Sequence, residues 1–470
     1  MAGLPNGPTE HVVVAPDGDK NKIPTDGIAG EDDIDIADVV ALIPVSLGSE
    51  TIDEYIILSV SSPELGAGPG EMSEGRLSLR QHWISQPPAD LSELIFDKGE
   101  CSFFKGEGGD RKDPELSIIV STKSGTCQAE AFFYHVVKDL LAAIGISEST
   151  YKVYFTNTER WISDFAAQTI CSTANRGIAQ SIILLSGDGG IVDILNGLYT
   201  GHQTRGYVKP RIGLIALGTG NALANSSGIN TGNTKGLSTI LHGSPRNIPT
   251  FICKCSPGSV LLVDEGRRTE ELCVDKNGFG VIHGAVVASW CLHATLVADS
   301  DTAEYRKFGS ERFSMVANEL LSPSDGSPPH KWKGTITAHH RSASGEIESR
   351  VWDRKEHMYI LATLVSNLEA TLKISPESRP LDGQLRLVDF PPLPAADVKS
   401  IFGMAFNGGK HVQHGAVGYT PIEALRIDFE ESDSNWQRIC VDGKIIRIPE
   451  GGSVEIRLEH REVADLMVVG

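Results

Sequence analysis

The feature that most constrains this chain is a series of apolar strands, each running into a short loop of small residues and then into a helix. From Leu116, LSIIVS reads as a buried strand and Lys123-Ser-Gly-Thr as a turn; apolar residues at 129, 132, 133, 136, 137, 140 and 141 then mark one helical face that closes at Gly145. The series continues with a strand at 151–155, a helix near 164–174, a strand at 181–185, a helix over 191–198, a strand at 212–216 and a helix after Asn221. Strands alternating with helices dictate a mostly parallel sheet, whose ligands lie at the carboxyl ends of the strands. After about Thr250 the pattern turns β-rich (FICKC, SVLLVD, GVIHGAVVASW, KGTITAHH, MYILATLV, QLRLVDF, LRIDF, RICVDG, VEIRLE), with helices near 310–321 and 395–405. That half predicts a β-sandwich.

Length and charge set the frame. A chain of 470 residues holds two or three domains. A net charge of −19 excludes a polybasic nucleic-acid binder. The acids concentrate toward the N-terminus, and residues 1–34 read as a disordered acidic tail. Residues 35–115 form a β-rich region with strands at 39–45, 55–60 and 76–84 and a linker at 106–113; 116–248 form the α/β domain and 249–470 the β domain. Eight cysteines without a C-x-x-C pair suit reduced thiols and the cytosol. The first residues lack the basic and apolar segments of a signal peptide, and the run 285–298 is too short to span a bilayer, so membrane contact is expected to be peripheral.

Three loops follow strands of the α/β half: Ser121-Thr-Lys-Ser-Gly125, Ser186-Gly-Asp-Gly-Gly190 and Leu217-Gly-Thr-Gly-Asn221. Each sits where backbone N–H groups and a helix N-terminus can face an anion, and glycine lets the main chain approach phosphate oxygens. A carboxylate in such a cradle, Asp188, repels phosphate unless it accepts a proton from an attacking hydroxyl or holds Mg2+ through water. This is equipment for phosphoryl transfer. The chain has no G-x-x-x-x-G-K-S/T, no H-R-D with D-F-G, no G-x-S-x-G and no third glycine for G-x-G-x-x-G, which argues against P-loop, protein-kinase, hydrolase and dinucleotide folds.

The segments SIILLSGDGGIVDILNGL and RIGLIALGTGNALA resemble the two signature motifs of the diacylglycerol kinase and sphingosine kinase family. The resemblance extends through STKSGT, Thr158-Glu-Arg, the run 297–313, Pro380-Leu-Asp-Gly and Val441-Asp-Gly, about three quarters of the chain. The SGDG form, the GNALA ending and the Tyr-Arg-x-x-Gly-x-x-Arg-Phe run lean toward the sphingosine kinase branch. The resemblance implies an ATP-dependent, Mg2+-using lipid kinase with its nucleotide in the cleft between the two domains, phosphorylating a hydroxyl of a sphingoid base or diacylglycerol at a membrane surface. It implies Asp188 as general base. Ser121, Thr122, Lys123, Gly125, Thr158, Ser186, Gly187, Gly189, Gly190, Gly218, Thr219, Gly220 and Asn221 would line the nucleotide. Arg306 and Arg312 match arginines that reach the phosphates, a role suited to forked guanidinium donors. Asp193 stands where the family has glutamate, and Asp442 would approach the nucleotide from the second domain.

Departures from the pattern are Ser121-Thr122 for Asn-Pro, Gly190 after the second motif glycine, Cys291-Leu292 for Gly-Phe, and Lys444 for the acid after Asp-Gly. The family's substrate-binding aspartate falls on Thr295 or Asp299. The altered first loop and Lys444 motivate a rival reading, a non-catalytic nucleotide- or lipid-binding regulator; an NAD kinase shares a GGDG loop but not GTGN. His339-His340 lacks further metal-ligand spacing, Cys253-x-Cys255 shares one strand face, and Trp290, Trp332 and Trp352 are expected in packing roles.

Overall fold

The computed structural model describes residues 11–12, 22–23, 34–45, 54–61, 77–87, 89–106, 112–229 and 232–469. A six-stranded sheet lies in the order Ser244–Asn247, Asp465–Val468, Arg211–Ala216, Gln180–Ser186, Glu115–Val120, Tyr151–Phe155. Every neighbouring pair is parallel except the edge strand Ser244–Asn247. Gln180–Ser186 and Arg211–Ala216 are buried along their whole length, the pattern of parallel strands covered on both faces.

The helix spanning 129–143 buries Phe132, Phe133, Val136, Val137, Leu140 and Leu141, widens into a π-type turn at Phe133–Val137 and stops before Gly145, whose φ of 75° is left-handed. On the opposite side, Asp188–Thr200 packs on the helix spanning 161–175. A Cβ on Gly197 would stand 2.4 Å from the Ser163 carbonyl oxygen, so the glycine sets how close the helices come.

Two further eight-stranded antiparallel sheets follow, one centred on Thr250–Cys255 and Ser453–Glu459, the other on Val287–Cys291 and Tyr359–Thr363. They meet through buried side chains such as Trp290 and Phe429, ring centroids 5.0 Å apart. The segment GVIHGAVVASW, expected as one strand, is two: Gly280–Gly284 belongs to the first sheet and Val287–Cys291 to the second. The chain changes sheets at Ala285 and Val286, leaving their amides free for a side chain. Asp465–Val468 returns to the parallel sheet beside Arg211–Ala216, so the C-terminal end of the chain is built into the N-terminal sheet.

The β-rich N-terminal region forms its own sheet, ordered His11–Val12, Ser78–Ile84, Glu54–Ser61, Val39–Val45. Its Val40, Ile56, Leu58 and Val60 share a core with Ile118, Val120, Phe132 and Val136, so it covers one face of the parallel layer. The expected tail over 1–34 and most of the expected linker lie outside the described residues; of the tail, His11–Val12 pairs with Ser78–Ile84, and Lys22–Ile23 with Ile34–Asp35.

Tyr199 joins the layers. Its hydroxyl bonds Thr250 Oγ1 at 2.6 Å and donates to the Arg461 carbonyl at 2.7 Å, and its ring stacks on His283 at 3.8 Å. Tyr199→Phe leaves the Arg461 carbonyl without its donor and the Thr250 hydroxyl without its acceptor, and should destabilise the protein by about 1–3 kcal/mol in urea unfolding; an unchanged midpoint would show that this bridge contributes nothing.

Candidate active site

The site begins where two adjacent strands end. Gln180–Ser186 and Arg211–Ala216 run side by side, so their loops emerge at one edge. A Cβ on Gly187 would sit 2.7 Å from Gly218 Cα, and one on Gly218 would sit 2.6 Å from Gly187 Cα. The two backbones cross in direct contact and neither position admits a side chain. Asn221, at φ 50°, locks the second loop: its Oδ1 accepts from Gly218 N at 2.8 Å and its Nδ2 donates to Gly218 O at 2.8 Å. Gly187 N donates to Ser124 Oγ at 3.0 Å, joining the first loop to the second. Thr122 N donates to Thr156 Oγ1 at 3.1 Å, fixing the altered Ser121-Thr122 step against the next strand end.

Gly190 is explained locally, because a Cβ there would meet Ser186 Oγ at 2.5 Å. Gly189 differs: nothing lies within 4 Å of its would-be Cβ, which opens into the cleft.

Asp188 opens the helix Asp188–Thr200, and its carboxylate accepts from Ala222 N at 2.7 Å and Leu223 N at 2.9 Å. These are first-turn amides of Ala222–Ser226, which the helix cannot satisfy itself. Burial pushes the Asp188 carboxyl above its ordinary value, and the two amides pull it back. Asp442, at φ 48°, holds the three amides freed at the sheet change: Ala285 N at 2.6 Å, Val286 N at 3.1 Å and Val287 N at 2.5 Å. Burial pushes its carboxyl up to about 7, with the Asp188 charge adding to the rise. Two half-buried carboxyls, each seated on backbone amides, thus face one another electrostatically.

Two cavities meet here. A polar cleft of about 1100 Å3 is lined by Ser121, Thr122, Lys123, Gly125, Thr158 and Ser186 on one side. Gly190, Asp193, Asp299, Arg306 and Arg312 also face it. An apolar cavity of about 930 Å3 takes Gly187, Asp188, Gly220, Asn221 and Asp442 at its head, with Leu292, Leu296, Leu321, Tyr359 and Phe402 beyond them. Gly189, Gly218, Thr219, Arg312 and Lys444 line both.

The structure separates some of the residues grouped by sequence. Thr295 is buried and faces neither cavity. Asp299 pairs with Arg438 at 2.7 Å in the polar cleft, away from the apolar one. Trp290, Trp332 and Trp352 line neither. Arg306 is held by both oxygens of Asp301 at 2.9 Å, an acid the motif did not single out. Lys444 is bound to Asp193 at 2.8 Å, an ion pair that ties the hairpin of Arg438–Val441 and Lys444–Arg447 to the helix Asp188–Thr200. The amide seat of Asp442 was hidden because it depends on where a strand breaks. Among the described residues no group of three His, Cys, Asp or Glu can hold a metal ion.

Residues 115–253 match the family model described as the diacylglycerol kinase catalytic domain. The match supports a lipid kinase catalytic domain over residues 115–253, and with it phosphotransferase chemistry. Among curated relatives, sphingosine kinase 1 of Arabidopsis thaliana is 19% identical over 379 residues, covering 74% of this chain and 70% of the relative. Sphingoid long-chain bases kinase 1 of Arabidopsis thaliana is 27% identical over 110 residues, 23% of this chain and 14% of that protein. Among solved structures, a diacylglycerol kinase from Bacillus anthracis is 13% identical with a TM-score of 0.45, covering 76% of this chain and 98% of the other. The yeast NADH kinase complexed with NADH is 12% identical with a TM-score of 0.39, covering 77% and 84%.

Two outcomes test this geometry. Gly218→Ala should lose about 1–3 kcal/mol or more because the new methyl meets backbone that cannot move aside, whereas Gly189→Ala should hold or gain up to about 1 kcal/mol as a helix residue with open space around it. Equal losses in chemical unfolding would refute the backbone crossing. The second outcome concerns pH. Folded Asp442 keeps a proton that the unfolded chain releases near the ordinary aspartate value of 3.8, so its contribution is greatest below that pH and is lost as pH rises toward about 7. Relative to Asp442→Asn, the wild type should therefore lose stability between about pH 4 and 7, by at most a few kcal/mol, since each tenfold change in a proton equilibrium is worth about 1.4 kcal/mol; parallel pH profiles would contradict it.

Proposed function

We propose that the protein transfers the γ-phosphate of ATP to a hydroxyl of a lipid, with a sphingoid base as acceptor and diacylglycerol as the alternative. One observation carries this reading: a polar cleft and an apolar cavity join at the two glycine loops, so a phosphate donor in one and a lipid acceptor in the other bring their reacting ends to Gly189, Gly218 and Thr219. The open space at Gly189 supports a bound phosphate, since a side chain there would suit the helix but block approach to the loop amides. With the chain divided into an α/β domain over 116–248, which Asp465–Val468 joins, and a β-sandwich over the rest of 249–470, this junction lies between domains.

In this reading Mg2+-ATP supplies the transferable phosphoryl group. Arg306 and Arg312 lie where cations would offset its charge, and Arg312 Nε is buried without a partner among the described residues. The cleft carboxylates Asp193, Asp299 and Asp301 already answer Lys444, Arg438 and Arg306, which fits Mg2+ held mainly by the nucleotide's own phosphates. Asp188 accepts the hydroxyl proton. Each of its oxygens takes one amide bond, leaving a second lone pair on each, and burial raises its pKa, the direction that strengthens a base. Among the described residues no helix is long and apolar enough to cross a membrane, and the enzyme is proposed to meet its lipid from the cytoplasm by peripheral association. The same seating of Asp188 on amides favours a second reading, in which the carboxylate only fixes the loops of a nucleotide-binding regulator.

Labelled ATP with Mg2+, offered with sphingoid base, diacylglycerol and ceramide, separates the two. Asp188→Asn, which keeps an acceptor for one amide, should lower turnover by about 10²- to 10⁴-fold while nucleotide still raises its thermal midpoint. Wild-type turnover in that variant refutes the base assignment; unlabelled lipid from a wild type that nucleotide stabilises establishes the regulator.

A further inference from the structure

The apolar cavity contains a carboxylate that no group among the described residues answers. Glu369 lies on the loop between Tyr359–Thr363 and Arg386–Phe390, fastened beside the second glycine loop. Asn367 N donates to Ser226 Oγ at 2.9 Å, Leu368 N donates to Leu372 O at 3.0 Å, and the Leu368 carbonyl stands 3.0 Å from where a Cβ on Gly220 would be. The Glu369 side chain lines the cavity with Leu368, Leu372 and Phe402 and is half-buried. Its carboxylate makes no ion pair or hydrogen bond among the described residues, and burial raises its pKa with no neighbouring charge to oppose the rise.

Every other acid facing this cavity is accounted for. Asp188 and Asp442 hold backbone amides, Asp301 holds Arg306, and Glu311 is exposed. Of the lysines that face it, Lys444 pairs with Asp193 and Lys399 is exposed on Ala395–Phe406. A second polar group also lacks an answer: Tyr359, 1% exposed, lines the same cavity and its buried hydroxyl has no hydrogen-bond partner among the described residues. A partly desolvated carboxylate without a partner is costly, and a ligand that brings a cation removes the cost whereas a neutral ligand increases it.

We propose that Glu369 anchors the ammonium group of a long-chain amino alcohol, so that the cavity selects an amine-bearing lipid over a neutral acylglycerol as the phosphate acceptor. The Tyr359 hydroxyl meets a neutral oxygen of the same ligand. The selection rests on the lipid kinase reading above for its chemistry but not for its binding, and it assigns the role to a loop remote in sequence from Thr295 and Asp299.

The test compares a long-chain 2-amino-1,3-diol with the diol of equal chain length lacking the amine, each in mixed detergent micelles at neutral pH, against full-length wild type and Glu369→Gln. Wild type should bind the amine about tenfold or more tightly, as one charge-assisted contact allows. The Gln variant, with an unchanged unfolding midpoint, should bind the two within about threefold, and Glu369→Asp should keep part of the preference. Equal affinities in the wild type, or a preference that survives in Glu369→Gln, overturn the anchor. Phosphate transfer is scored separately. Amine-selective binding without labelled product from any lipid sinks the kinase reading and leaves the anchor standing; labelled diacylglycerol in preference to the amino alcohol sinks the anchor and leaves the kinase reading standing.

Discussion

The crossing of Gly187 over Gly218 is the contact on which the rest of the site depends. Two parallel strands deliver their loops to one edge, but only the absence of both side chains lets the loops touch. That contact brings Asp188 to the open N-terminus of Ala222–Ser226, where its carboxylate caps the helix. It also holds Asn221 in a left-handed conformation that closes the second loop on itself. The glycines therefore have two distinct causes. Gly187, Gly190 and Gly218 answer the packing of the protein against itself; Gly189 answers something outside it, since its missing side chain faces open space.

Charge around the cleft is arranged so that little of it is idle. Asp193 with Lys444, Asp299 with Arg438 and Asp301 with Arg306 each join a different pair of segments, so three of the cleft's acids are neutralised by cations that line it with them. Such pairs add little stability where they are exposed, but they fix orientation. Lys444 is the informative case. An acid at that position would stand against the half-buried Asp193 and raise its energy; lysine instead ties the β hairpin to the helix that starts at Asp188. A residue that reads as damage to the motif is, in the fold, a connection between the two halves.

The parallel sheet and its loops were legible because their signals are local: an apolar strand, a glycine loop and a helical face lie within one short stretch. The helix 129–143 followed from its apolar spacing, although its π-type turn at Phe133–Val137 left no mark in the pattern. What escaped was non-local. Asp465–Val468 is a brief apolar run whose partner, Arg211–Ala216, lies about half the chain away, and nothing near it signals that pairing. The break at Ala285 and Val286 was invisible for the same reason: an unbroken β-type run conceals a change of sheet, and with it the amide seat of Asp442. Asp299 and Thr295 illustrate the converse error. Matching by position along a motif placed them near a substrate, whereas the helix Leu292–Ser300 turns one into the interior and the other toward Arg438.

The return of the C-terminal strand also bears on how the two cavities can coexist. A polar cleft and an apolar cavity share a wall only if the layers that form them keep a fixed separation, because a small sliding of one layer would bring the Asp442 seat out of line with Asp188. Asp465–Val468 pairs within the parallel sheet, the Tyr199 hydroxyl bridges Thr250 and Arg461, and Lys444 reaches Asp193. These ties lie at different places around the junction, and each joins the helix or sheet of one half to strands or loops of the other. Their combined effect is to oppose rotation as well as separation. Any opening needed to admit a ligand must therefore come from the segments outside these ties.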